Sequence, residues 1–411
     1  MNRRLGLLLP VAAITAQCAY GHEPPPPRWS RLTLPVNVQA PTAGDRVDVT
    51  TVWGGTGGQP WLAGGDAVDI AGNRQVQIWS SDVGPQGPWR QSSFLATSID
   101  GPHDVVSSIS AAGPLTAAVG VRPSPLHGIP RASMWTGSAR SPAVWQEAPV
   151  TREVFGGENV VGIGGMTVGP HGVFLAGSWS TAGERASAAV WTSPDGLVWT
   201  RNDRDPAFVG YPPELPQASD VADSPGGVVM VGRAPTPSPG DPTAEHGAIW
   251  WSADGTRWER VLVAKGASRG TQISIDRVRY GDGRYVAAGT IESRGSAALD
   301  IWMSCDGINW RDQPTHISLS GGPTSSVTGL AVVGDAVVVG AVADQRPVLW
   351  EARRGGRWKK VGLPADSPPG ADIDVTATPG AIAIAVRRTN DSGAWWAPVT
   401  PPFADRSQCA V

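Results

Sequence analysis

The chain is poor in charge, histidine and cysteine. Only 17% of its 411 residues are Asp, Glu, Lys or Arg, the formal net charge is -3, and there is no Lys/Arg-rich run. That balance excludes the basic footprint of a nucleic-acid surface. The six histidines, His22, His103, His127, His171, His246 and His316, stand singly, and an isolated loop histidine is a surface residue before it is a base or a ligand. Three cysteines, Cys18, Cys305 and Cys409, have no metal-ligand spacing, so neither a metal nor another cofactor is expected. Past the N-terminus no apolar run is long enough to span a bilayer. Glycine, proline and tryptophan are abundant instead, at 52, 38 and 19 residues, a composition of many short strands joined by turns.

The tryptophans fall into a repeated phrase. It reads Val190-Trp191-Thr192-Ser193-Pro194-Asp195-Gly196-Leu197-Val198-Trp199, then Trp251-Ser252-Ala253-Asp254-Gly255-Thr256-Arg257-Trp258, then Trp302-Met303-Ser304-Cys305-Asp306-Gly307-Ile308-Asn309-Trp310. Asp-Gly between two apolar runs signals a hairpin, because Gly accepts positive φ and Asp tolerates it. The Ser hydroxyl and Asp carboxylate accept bonds from turn N–H groups, and the two Trp side chains flank the turn. The phrase resembles the Asp-box, or bacterial neuraminidase repeat, of sialidases and other β-propeller proteins, whose pattern Ser-x-Asp-x-Gly-x-x-Trp is one residue longer. An earlier copy, Ser80-Ser81-Asp82-Val83-Gly84, keeps the family's first spacing and delays its Trp to Trp89. The resemblance implies a scaffold role for Ser80, Asp82, Ser193, Asp195, Trp199, Ser252, Asp254, Trp258, Ser304, Asp306 and Trp310. It also places them on the face away from a binding or catalytic site.

Counting the phrase counts the units. Trp79, Trp135, Trp191, Trp250, Trp302, Trp350 and Trp395 are spaced 45 to 59 residues apart, enough for four short strands each. An apolar run such as Phe174-Leu175-Ala176-Gly177 precedes each Trp. Four-stranded units repeated radially make an all-β propeller, here expected to have seven blades. The seventh unit has no outer strand after Trp395-Trp396. Its counterpart stands at the other end, where Arg28-Trp29-Ser30-Arg31-Leu32-Thr33-Leu34-Pro35 resembles the outer strand Arg357-Trp358-Lys359-Lys360-Val361-Gly362-Leu363-Pro364. The N-terminal strand is therefore expected to complete the last blade and close the ring, which removes an exposed edge.

Asn2-Arg3-Arg4 followed by apolar Leu5 to Ala16 reads as an export signal. The expected layout is a signal over 1–21, a Pro-rich spacer over 22–28, the propeller over 29–400 and a tail over 401–411. Alternatively Thr15-Ala16-Gln17-Cys18 is a lipoprotein box with Cys18 acylated, the one expected membrane attachment. Either way the mature chain is expected outside a bacterial cytoplasm, as a monomer. In an oxidising compartment Cys305 and Cys409 either pair or stay free, and Cys18–Cys409 is a second reachable pairing.

Chemistry is harder to find. The Phe-Arg-Ile-Pro and Tyr-Arg-Ile-Pro motifs of sialidases are absent, and the four tyrosines show no pairing with a Glu base. Loop acids such as Glu153 and Glu158, or Asp241 and Glu245, have no spacing that specifies hydrolysis, so no catalytic residue is assigned. Aligning the units puts Asp220, Arg277, Thr328 and Asp374 at one inner-strand position, where they line a channel and hold a small ligand or pair with one another. Trp179 belongs to no phrase and is expected in a loop beside Glu184 and Arg185, placed to stack on a sugar. The preferred reading is a non-catalytic extracytoplasmic binding or scaffold protein that meets a protein, peptide or glycan through Trp179, Arg185, Asp220, Arg277 and Asp374. The alternatives are a sialidase-like glycoside hydrolase and a lipid-anchored cell-envelope structural protein.

Overall fold

The structure is a computed structural model. It describes residues 27–35, 46–399, 403 and 409, apart from 56–57, 123–130, 150–151, 156–158, 181–185, 211–214, 236–244, 265–270, 294, 314, 316, 321–324, 354–355, 365–370 and 388–391. The expected signal segment with Cys18, Arg185, and most of the 401–411 tail lie outside these residues.

The described chain is β-structure throughout, with one short α-helix at Arg152–Phe155 and a 3-10 turn at Gly101–His103. Seven inner strands contribute to one cavity: β1 (Arg46–Trp53), β2 (Val105–Ala112), β3 (Val160–Gly169), β4 (Gln217–Ser224), β5 (Thr271–Gly281), β6 (Ser326–Val333) and β7 (Asp372–Thr378). Each begins an antiparallel meander. The strand that follows an inner strand carries an apolar run at its centre because neighbouring sheets cover both its faces there. Val228, Val229, Met230 and Val231 are all fully buried. The core is thus a series of layers between sheets. In one of them Phe174, Ala176 and Val190 of one unit pack on Val221, Met230 and Trp250 of the next.

The sheets are fewer than the units. Five separate sheets hold four or five strands each and a sixth holds nine, against an expectation of seven four-stranded sheets. Glu245 pairs in parallel with Gln272 of β5, and this bridge runs the meanders carrying Trp250 and Trp302 into one hydrogen-bonded sheet. The last sheet takes its fourth strand from the start of the chain. Ser30 lies opposite Trp396 and Arg31 opposite Trp395, antiparallel. The Leu32 N–H donates to the Ala394 carbonyl at 2.9 Å, and the Trp29 indole donates to the Gly362 carbonyl at 2.6 Å.

The Asp-Gly turns share one geometry. The hydroxyls of Ser193, Ser252 and Ser304 accept from the N–H of Gly196, Gly255 and Gly307 at 2.8, 2.8 and 2.9 Å. The indoles of Trp199, Trp258 and Trp310 donate to the carbonyls of the same glycines at 2.9, 3.1 and 2.8 Å. Asp195 accepts from Leu197 and Val198 at 2.8 and 2.9 Å, and Asp254 accepts from Thr256 at 2.9 Å. Partial burial raises the Asp306 carboxyl, but bonds from Asn309 and Ile308 outweigh it and bring the group down to about 2. The early copy departs from expectation. Its accepting hydroxyl belongs to Ser81, at 3.4 Å from the Gly84 nitrogen, not to Ser80, because Trp79 matches Trp191 and places Ser81 where Ser193 stands. Asp82 is on the surface beside Arg90 at 3.2 Å.

These turns also join units. Gly196, Gly255 and Gly307 have φ of +77°, +83° and +78°, and a Cβ there would meet Thr136, Phe174 and Trp251 of the preceding unit at 2.7, 2.2 and 2.7 Å. Glycine is required both by the backbone and by the close approach. Cys305, in the third turn, forms a disulfide with Cys409, with Cα atoms 5.6 Å apart. Before Cys409 the tail is pinned at Phe403, which is buried, donates its N–H to the Pro379 carbonyl at 2.9 Å and lies under the Arg353 guanidinium.

Candidate functional site: the central channel

An inner strand is the edge of its sheet, so the backbone groups on its free side need partners. Polar side chains of the neighbouring unit supply them. Thr50 of β1 donates to the Val106 carbonyl of β2. Ser108 and Ser110 accept from Met166 and Val168 of β3 at 3.3 and 3.0 Å. Asp220 accepts from Val278 of β5 at 3.0 Å, and Asp276 accepts from Val327 of β6 at 3.0 Å. Thr328 donates to the Ile373 carbonyl of β7 at 2.8 Å. Asp374 accepts from the Thr51 hydroxyl at 2.7 Å and the Val52 N–H of β1 at 3.1 Å. Between β3 and β4 glycine replaces the side chain, since a Cβ at Gly165 would stand 1.8 Å from Asp220 Oδ1. Burial pushes the Asp276 and Asp374 carboxyls above the ordinary carboxylate value against the pull of these bonds.

Inside this wall is a cavity of about 1350 Å³. Six of the seven inner strands carry a β-bulge facing it: in five the extra residue is polar, Thr50, Ser107, Ser219, Asp276 and Thr328, and in β3 the shifts fall at Val161 and around Gly164 and Gly165; all of these line the cavity. A bulge re-aims a side chain without breaking the sheet. At the end where the inner strands begin, the wall carries Gln217, Arg233, Glu245, Gln272, Ser274, Thr290 and Glu292; at the other end stand Trp53, Tyr280 and Phe403. The Ser274 and Thr290 hydroxyls are 3.0 Å apart. Burial, reinforced by the charges of Glu245 and Asp276, holds the Glu292 carboxyl above its ordinary value.

Among the described residues four arginines line the cavity, Arg233, Arg277, Arg279 and Arg387. Arg233 pairs with Glu245 at 3.3 Å, Arg279 with Asp220 at 2.6 Å, and Arg387 with Asp372. Arg277 differs. Its Nε and Nη1 donate to the carbonyls of Thr328 and Asp276 at 3.0 and 2.9 Å, and no carboxylate of the described residues is in ion-pair contact with it.

The residues singled out from sequence divide. Asp220, Arg277, Thr328 and Asp374 all line the cavity, but they are not equivalent: Thr328 is the extra residue of a bulge, whereas Asp220 and Arg277 each follow one. The two aspartates and Thr328 are engaged in the seams between units. Trp179 is a correction. It ends the strand Gly172–Trp179 instead of standing in a loop, is 4% exposed, packs edge-on against Trp191 and is covered by the Arg201 guanidinium at 3.5 Å. The apolar strand simply continues two residues beyond Gly177. Arg279 was missed, although strand alternation two residues from Arg277 puts it on the same face. Asp276 was missed because a bulge breaks that alternation. Among the described residues no group of three His, Cys, Asp or Glu side chains is placed to hold a metal.

No protein-family model matches the chain, and no curated protein is detectably similar to it. Solved structures share its fold. An ulvan lyase, a polysaccharide lyase bound to -[GlcA(1-4)Rha3S]-, superposes with a TM-score of 0.52 at 11% identity over 86% of this chain and 94% of that one. The β-propeller domain of Myceliophteria thermophila Cps50 gives 0.50 at 11% identity over 86% and 99%. The fucose-binding Aleuria aurantia lectin gives 0.44 at 14% identity over 74% and 96%. The chain has a β-propeller fold.

Proposed function

We propose that this chain is an extracytoplasmic, non-catalytic binding protein that takes a glycan into its central channel from the end lined by Glu245 and Glu292. The observation that carries this reading is a large cavity with fixed hydrogen-bonding groups of both kinds, amides, hydroxyls, guanidinium and carboxylates, the set that reads a polyol. Asp220, Asp276 and Asp374 are bonded into the wall, which suits holding a ligand and not transferring protons to it. The ulvan lyase of the same fold is bound to a polysaccharide repeat. The scaffold is read as a seven-bladed Asp-box propeller closed by its N-terminal strand. Seven inner strands, seams on both sides of each, the bonds from Asp374 to β1 and the pairing of Ser30 with Trp396 support that count. The basic and apolar N-terminal segment and the disulfide support an oxidising location outside the cytoplasm.

The test is a glycan array probed with the mature chain, followed by calorimetry on any hit. Binding that is lost in Ser274→Trp, a substitution that fills the mouth, supports the reading. Release of shortened saccharides on incubation would overturn its non-catalytic part, and binding unaffected by the blocked mouth would move the site out of the channel.

A further inference from the structure

We propose that Arg277 is an oxyanion anchor in the channel, so that the glycan taken up is an acidic oligosaccharide bearing a carboxylate or sulfate group. This rests on the reading that a glycan enters the channel. Of the four described channel arginines, three are paired with a carboxylate of the wall, at 3.3 Å for Arg233, at 2.6 Å for Arg279 and in contact for Arg387. Among the described residues Arg277 alone of these four makes its hydrogen bonds only to backbone carbonyls; the Asp276 and Asp374 carboxyls act on it through space without an ion-pair contact. Those two bonds use Nε and Nη1 and fix the plane of the guanidinium, leaving the N–H groups of Nη2 for a ligand.

A guanidinium at a half-buried wall position attracts an anion more strongly than one in water, and its planar donors match the oxygens of carboxylate or sulfate. Two bonds pre-set its orientation, so little side-chain entropy remains to be lost on binding. The surroundings also define the rest of the ligand. Gln272 lies five residues up β5 from Arg277, about 16 Å at the strand rise, beside Glu292 and the Ser274–Thr290 hydroxyl pair. A ligand with its oxyanion on Arg277 therefore presents hydroxyl donors to Glu292 near the mouth. That length fits an oligosaccharide of a few residues and exceeds a monosaccharide.

The experiment measures calorimetric affinity of the full mature chain for three probes: an oligogalacturonate, a sulfated oligosaccharide, and a neutral oligosaccharide of matched length. Arg277→Gln, Arg277→Lys and wild type are compared. The expected result is acidic binding at least about tenfold tighter than neutral, as one charged hydrogen-bonded contact provides. Arg277→Gln should reduce acidic affinity to the neutral level, and Arg277→Lys should recover part of it. Inorganic sulfate should compete with the acidic probes on wild-type protein, a measurement that needs no variant to fold. Which acidic probe wins separates carboxylate from sulfate. Equal affinity for acidic and neutral probes, with no competition by sulfate, overturns the anchor and leaves glycan binding standing. Failure of all three probes to bind wild type overturns both.

Discussion

Opening the Cys305–Cys409 disulfide should cost the fold several kcal/mol. The cross-link joins residues 104 apart in sequence. Constraining a loop of that length in the unfolded chain removes about 16 cal/mol/K of entropy, or about 4.7 kcal/mol at 25 °C. Folded-state contacts of the tail do not depend on the cross-link: Val399 and Phe403 donate backbone bonds to Gly380 and Pro379 at 3.0 and 2.9 Å, and Phe403 is buried against Ile382 and Val375. The native tail should therefore stay docked when the bond is cut, and the loss should fall on the unfolded state. With an unfolding entropy near 2.1 cal/mol/K per residue over the roughly 370 residues from 29 to 400, that loss lowers Tm by about 6 °C. Scanning calorimetry of Cys305→Ser, Cys409→Ser, the double variant and reduced wild type should give one common Tm, since each removes the same bond. A wild-type Tm unchanged by reductant, or single variants that add in the double, would refute the reasoning.

Acid groups buried in the sheets set a pH dependence. Burial raises Asp66 to about 6 and Asp104 to about 7, and burial with Asp312 nearby raises Asp300 to about 7. The folded chain then holds these protons more tightly than the unfolded chain, so the stability they contribute is fully present below about pH 4 and is lost as pH rises through 6 to 7. Asp306, drawn down to about 2, works the other way below pH 4. Thermal unfolding from pH 3 to 8 should therefore show the highest Tm near pH 4, and Asp104→Asn should flatten the decline toward pH 8; a Tm that climbs between pH 5 and 8 contradicts this. Gly255→Ala should destabilise by about 2–4 kcal/mol in urea unfolding, from left-handed strain plus collision with Phe174. Gly72→Ala, with the same φ of +83° and nothing within 4 Å, should cost only about 1–2 kcal/mol from strain. Equal losses would mean that the turns do not dock units together.

The turns were legible because their partners are near in sequence. Ser193, Asp195, Gly196 and Trp199 satisfy one another across at most three residues, so the letters alone carry the geometry. The N-terminal strand was legible for a different reason. Arg28 to Pro35 copies the outer strand of another unit, and an orphan outer strand must pair where one is wanting. Legibility stopped where a one-residue shift matters. The shift from Ser80 to Ser81 follows from the strand Trp: Ser81 stands two residues after Trp79, as Ser193 does after Trp191. The bulge at Asp276 swaps which side chain faces the cavity and hides that residue from any count by two. Trp179 misled because a strand running two residues on turns an expected loop aromatic into core.

By itself the sequence determined a chain of Trp-bearing, Asp-Gly-turned β units and the pairing of its first strand with its last sheet, because hairpin bonding and strand patterning are local properties repeated along the chain. The tertiary structure decided what the channel is made of. Asp374 meets Val52 across 322 residues, Asp220 meets Arg279 across 59, and Arg277 is left with carbonyls for company. Those contacts depend on how the sheets are arranged around the cavity and on where each inner strand bulges, and no local pattern of residues specifies either.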